Sequence, residues 1–151
     1  MPASSAPRPV GPGALPQSPP SVRVAIALLS TLAVLLLLYV TVTWLGRDGL
    51  IEALTDSGLT RDEAERFLVI NTSAPLVMGL LFGVSAWGVA KRHSWGRWVG
   101  VVAAVVLAGL VSTTMLTAGG ITVVSLLLFV LAVATAASLL SRTTREWLAA
   151  G

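Results

Sequence analysis

The chain has 151 residues, of which 55% are hydrophobic and 11% charged, with a formal net charge of +3 and no cysteine. So apolar and weakly charged a composition excludes an ordinary water-soluble globule, and the missing cysteine excludes a disulfide framework, a thiolate metal site, a catalytic thiol and a cysteine-linked lipid anchor. Six of the seven acidic residues, Asp48, Glu52, Asp56, Asp62, Glu63 and Glu65, fall in one 18-residue window while most Arg and Lys lie elsewhere, so the basic balance is charge sorted along the chain, and nucleic acid is not implied.

Residues 1–21 open the chain with seven prolines in the first 20 positions, which reads as a disordered, partly polyproline-II tail. PRPVGP or LPQSPP as a ligand for a proline-recognising domain is the alternative reading of that tail. Four apolar runs follow, at 22–45, 74–90, 98–117 and 121–140, matched to the roughly 20 residues at about 1.5 Å rise that cross a bilayer. The predicted fold is all-α: a four-helix transmembrane bundle at 22–141 with an amphipathic helical extracytoplasmic loop.

The first span follows Pro19-Pro20 with Ser21 as its expected N-cap. It is too long for the apolar core of a cleaved signal and is read as a retained anchor. Leu32, Leu35, Leu36, Leu37 and Leu38 make it bulky, with few small residues, and it is predicted to face lipid.

The 46–72 loop carries helical signals. Asp48 is expected to cap a turn bearing Leu50, Ile51 and Leu54 that Gly58 ends. Thr60-Arg61-Asp62-Glu63 matches a capping box, and Asp62 to Arg66 an i,i+4 ion pair. The loop reads as a solvated cover whose Leu50, Leu54, Leu59 and Phe67 pack on the bundle, with a binding surface for an external partner or cation as the alternative. Its acidic spacing does not match a calcium loop.

The second span begins at Ser73-Ala74-Pro75, with the proline expected in the first turn, where it loses no hydrogen bond. It offers Gly79 and Gly83, then Trp87 on the same face. In the junction that follows, Lys91, Arg92 and Arg97 alternate with Trp95 and Trp98. That pattern predicts a membrane-interface belt meeting anionic headgroups, repeated in the 142–151 tail by Arg142, Arg145 and Trp147.

Gly96, Gly100, Ala104, Ala108 and Ser112 place a small residue at every fourth position of the third span. In lipid, helices associate through close van der Waals contact, and such a stripe predicts a packing groove. Gly79 and Gly83 of the second span are its expected partner, with Ala132, Ala136, Ala134 and Ser138 on the fourth. An intramolecular seam is the preferred reading and a self-association face the other. Val101 and Val105 are expected to lie on a different face. Ala118-Gly119-Gly120 leaves room only for a tight hairpin into the fourth span.

Arg8, Arg23, Lys91, Arg92, Arg97, Arg142 and Arg145 all fall on one side of a four-span chain. The opposite side receives the acidic loop. The positive-inside rule then places both termini in the cytoplasm of a multi-pass cell-membrane protein.

The spans contain no ionisable side chain in their interiors, and hydroxyls such as Ser85, Ser112 and Thr135 are expected to bond to carbonyls of their own helices. The chain is similar to four-span multidrug transporters in size and span number alone, and the glutamate they require is absent from 22–45. His93, the single histidine, sits between Arg92 and Ser94 without Cys, Asp or Glu beside it, and reads as a loop residue. No P-loop, G-x-S-x-G, H-E-x-x-H or dinucleotide fingerprint occurs, so no enzyme, metal or cofactor is expected.

The nine-to-one ratio of Arg to Lys and the junction AWGVAKRHSWGRW resemble the small four-span integral membrane proteins, uncharacterised as a group, encoded by GC-rich bacteria. The resemblance spans residues 22–141 and implies a membrane location without an activity. Two functions fit these residues: a non-catalytic partner-binding or scaffold component that packs through small-residue faces, and a subunit of a small oligomeric permease or channel. The expected partners are the bilayer with its anionic headgroups and either another membrane protein or a second copy.

Overall fold

A computed structural model describes residues 18–117 and 122–149, and among them there are helices and no strands. Most of the proline-rich tail and the Ala118-Gly119-Gly120 turn lie outside the described residues. Four helices are long and apolar enough to cross a membrane: α1 (Pro20–Leu45), α3 (Arg61–Ala90), α4 (Ser94–Thr117) and α5 (Val123–Leu140). Two shorter ones are α2 (Arg47–Asp56), between the first two spans, and α6 (Arg142–Ala149), after the last.

The long helices form a closed ring in the order α1, α3, α4, α5, and diagonal pairs scarcely touch. Where Gly100 on α4 approaches Ser85 on α3, Leu139 on α5 and Leu29 on α1, the start of α1 and α4 meets the end of α3 and α5. The helices therefore run alternately up and down. The end holding the start of α1, the 91–97 junction and α6 is the basic end, and the end holding α2 the acidic end.

The first span is not the lipid-facing helix that its bulk predicts. Val22, Ala25, Leu29, Leu32, Ala33, Leu36 and Val40 are buried at helical spacing, and most of them belong to the core with Phe82, Ala104, Ala132 and Leu139. Its neighbours supply the room: a Cβ on Gly79 would stand 3.0 Å from Leu37 Cγ, and one on Gly83 4.0 Å from Ala33 Cβ. Bulky and small surfaces are complementary, so a leucine-rich helix packs where the facing helix is glycine-rich. The helix starts at Pro20, with Pro19 in the capping position and no side-chain cap; Ser21 is already inside it.

At the acidic end, Asp48 lies in the first turn of α2 and makes no cap hydrogen bond. There its negative charge still complements the helix dipole. Gly58, at φ +105°, ends α2 as expected, with Leu59 N–H returning to Leu54 O at 3.3 Å. Ile51, not Leu50, is the residue of α2 that becomes buried; Leu50 and Phe67 remain exposed and Ala64 is buried instead.

The capping box at Thr60 forms, with Glu63 N–H donating to Thr60 Oγ1 and Thr60 N–H to Glu63 Oε2. It opens one helix that runs without interruption into the second span. Pro75 therefore sits inside α3, not in a first turn, and the Asn71 carbonyl four residues earlier loses its usual donor. The i,i+4 pair at this start is Arg61 with Glu65, at 3.6 Å, rather than Asp62 with Arg66. Both groups are exposed, so it contributes little.

Residues 142–149 are more than a tail. Ser141 breaks α5 at ψ 145°, Thr144 Oγ1 donates to Ser138 O at 3.1 Å, and α6 folds back with Thr144 and Leu148 buried. At the other end of α5, Thr122 and Ser125 form a reciprocal cap that the sequence reading does not anticipate, because serine there replaces the usual Glu or Gln.

Two outcomes follow from this packing. Leu32→Ala should lower stability by about 2 kcal/mol in thermal unfolding in detergent, the low end for a core leucine because lipid already removes most of the transfer term, whereas exposed Leu38→Ala should change it by under about 0.5 kcal/mol. Hydrogen bonds from Thr60 hold the Glu63 carboxyl below the ordinary carboxylate range. Its contribution is therefore present above that range and disappears as pH falls through the lowered value. Protection of the first-turn amides of α3, relative to unstructured exchange at the same pH, should fall over that acidic interval, and Glu63→Gln should remove the fall.

Candidate functional site

The seam around α4 is built from backbone. A Cβ on Gly96 would stand 2.9 Å from Gly88 Cα, Gly88 C and Val89 N, and one on Gly88 3.0 Å from Gly96 Cα. These contacts are to main-chain atoms, so a methyl at either place forces the helices apart. Ser85, fully buried, donates its hydroxyl to Gly96 O at 2.6 Å. It bonds across the helix pair, unlike Thr135 and Ser112, which bond to Leu131 O and Ala108 O on their own helices. A Cβ on Gly100 would fall against Ser85 Oγ and 2.7 Å from Leu139 Cδ1.

The partner of the α4 groove is thus Ser85 and Gly88, while Gly79 and Gly83 receive α1. The groove also does not keep to one face. Steps of four advance about 40° per step around a helix of 3.6 residues per turn, so Ser112 lies about 160° from Gly96. Gly96, Gly100 and Ala104 are buried, and Ala108 and Ser112 lie at the margin. The buried stripe continues instead through Leu107 and Val111. Val101 is also buried, contrary to expectation, because α3 and α5 flank α4 and cover a wide arc; Val105 is exposed.

A three-residue turn holds the seam closed. Lys91 caps α3, Arg92 N–H returns to Val89 O and His93 N–H to Gly88 O, at 3.1 and 2.9 Å. This is the same termination that Gly58 makes for α2, with Arg92 at φ +60° in the left-handed position. A non-glycine residue there costs on the order of 1 kcal/mol. The Arg92 guanidinium lies 4.6 Å from the Trp147 ring centroid, a cation–π contact of comparable size.

The predicted interface cluster separates into two parts. Lys91, Trp95 and Trp98 are exposed, and Arg97 lies half-buried with its guanidinium 5.3 Å from the Trp98 ring. Arg92 and Trp147 turn inward and fasten α6 to the turn, so Trp147 packs against the core and leaves the belt. His93 is a loop residue, as read from the sequence, stacked at 6.1 Å on Trp87. Among the described residues no cluster of His, Asp and Glu could hold a metal ion.

At the acidic end the ring opens into a cavity of about 560 Å³ that the sequence does not reveal. Leu35, Leu36, Met78, Leu107, Leu127 and Leu128 are among the residues lining it, with Tyr39, Asn71 and Thr114 as its polar members. No charged side chain belongs to the lining. No single helix carries a signature of it, because the cavity is the space left where four helices separate.

No protein-family model matches the chain, and no curated protein or solved structure matches it either.

Gly96→Ala and Gly100→Ala should each destabilise the protein by about 1–3 kcal/mol, as overpacking does elsewhere. Ser85→Ala should cost about 0.6 kcal/mol, a typical hydrogen bond between membrane helices. Val105→Leu should leave unfolding unchanged, and Gly109→Ala, where a Cβ meets nothing within 4 Å, should not destabilise the protein. If the seam is internal, the losses will be independent of protein concentration in detergent.

Proposed function

We propose that the chain is a non-catalytic component of the cell membrane that acts by binding a membrane partner, with both termini in the cytoplasm. One observation supports this reading above others: the basic half of the bundle is filled by Leu29, Leu32, Phe82 and Leu139, each without accessible surface. Such a core offers no polar path through a single chain, so action falls to surfaces.

The glycine faces that would serve for docking are occupied within the chain, which directs the partner to the acidic end. There α2 is an amphipathic cap, with Ile51 buried and Asp48, Glu52 and Asp56 exposed. At the basic end, Lys91, Arg97, Arg142 and Arg145 meet anionic headgroups, with Trp95 and Trp98 at the same level. In the alternative, a pore formed between copies, a polar stripe would face outward. The exposed hydroxyls of Thr41, Thr113 and Thr117 are bonded to their own helices, which favours binding over conduction.

A reporter active only outside the cytoplasm should be silent after Gly151 and active when inserted at Ser57; the reverse pattern overturns the orientation. A photo-crosslinker at Glu52 should capture a second membrane protein in native membranes, and one at Val102 only lipid. Cross-links solely between copies, together with solute flux in liposomes, would establish the pore reading instead.

A further inference from the structure

We infer that the acidic-end cavity binds one aliphatic chain of a phosphate-free lipid whose head carries hydroxyls and no formal charge, entering sideways from the adjoining leaflet. The inference goes beyond partner binding and does not depend on it.

Tyr39 lies 19 residues from Pro20, Asn71 19 from Ala90 and Thr114 20 from Ser94, which puts all three about 28–30 Å from the basic end at 1.5 Å per residue. That is the thickness of the hydrocarbon layer, so the polar lining residues share the level of the far interface. Met78 and Leu128 each lie 12 residues from the basic ends of their helices, about 18 Å up. The cavity therefore descends about 10 Å into the leaflet, polar at its rim and aliphatic below.

The way in is lateral. The buried residues of α5 are Ala132, Thr135 and Leu139, all nearer the basic end. Val124 and Leu127 line the cavity yet are 65% and 49% exposed, as is Tyr39 at 52%. In a bilayer these surfaces border lipid tails, and the volume suits a small apolar ligand.

The rim selects the head. Asn71 Nδ2 donates to Phe67 O at 2.8 Å, leaving Oδ1 as the end of that amide suited to accept. Pro75, also in the lining, deprives the Asn71 carbonyl of its helical donor. The Tyr39 phenol can donate or accept. This rim suits a hydroxyl group, and with no cation or anion in the lining it gives a phosphate or carboxylate nothing to pair with.

The test uses the full chain in phosphatidylcholine nanodiscs and a monoacylglycerol carrying a diazirine in mid-chain, with adducts mapped by peptide mass spectrometry. Adducts are expected at Met78, Leu107 and Leu128. Unlabelled monoacylglycerol in about tenfold excess over the probe should reduce them about tenfold, since the two compete equally for one saturated site, while the same excess of lysophosphatidylcholine should not. Leu128→Trp, which fills the cavity, should reduce labelling to a similar degree, and lipid-facing Val133→Trp should not. Tyr39→Phe with Asn71→Leu should abolish the preference between the two competitors while keeping the adducts. Adducts spread equally over Val102, Leu126 and Val130 would show annular lipid only, and equal competition by both lipids would remove the head selection; either overturns the inference. Adducts joining two protein chains would place a second copy in the opening and overturn it as well. If Leu128→Trp fails to fold, the competition on the unsubstituted chain still decides.

Discussion

Close approach of two backbones at Gly88 and Gly96 organises the bundle. Helix axes come this near only where neither residue has a Cβ, and the contact lies one short turn from the point where the chain reverses. Since the turn fixes the spacing of α3 and α4 at the basic end, Ser85 comes within reach of Gly96 O, and Gly100 comes to face Leu139 and Leu29. All four spans meet there. The hydrogen bond adds direction to a contact that dispersion alone would leave free to slide.

Tightness at one end has a counterpart at the other. Small residues bring α4 against its neighbours between Gly96 and Ala104, but their fourfold spacing drifts around the helix and reaches the margin by Ser112. Past Ala104, Leu107, Leu110 and Val111 stand where glycine and alanine stood, and larger side chains keep helices further apart. Pro75 interrupts the backbone bonding of α3 in the same half. The cavity is the geometric consequence of a small-residue seam that covers only part of the bundle.

The basic end is also held from outside. Arg92 accepts a left-handed backbone in a position where Gly58 stands at the equivalent turn of α2. An arginine brings what glycine cannot, a side chain long enough to lie over Trp147 and draw α6 onto the bundle. The same residue types that mark an interfacial belt thereby divide, Trp95 and Trp98 facing outward and Trp147 inward.

Much of this was legible in the chain itself. Hydrophobic run lengths determined four candidate spans, Thr60 and Glu63 a helix start, Gly58 a helix end, and the abundance of small residues in the third span a close-packed helix, because each depends on residues near in sequence and on backbone rules that hold anywhere. The partners of those features depended on the tertiary structure. Whether Gly79 met α1 or α4, whether Leu32 faced lipid or the core, and whether Val101 was covered are questions about a second helix, and periodicity specifies the face of a helix without specifying what lies opposite. The cavity belongs to four helices at once, so only their assembly determined it: a void has no residues of its own, and what lines it depends on how far apart the packed seams hold the helices.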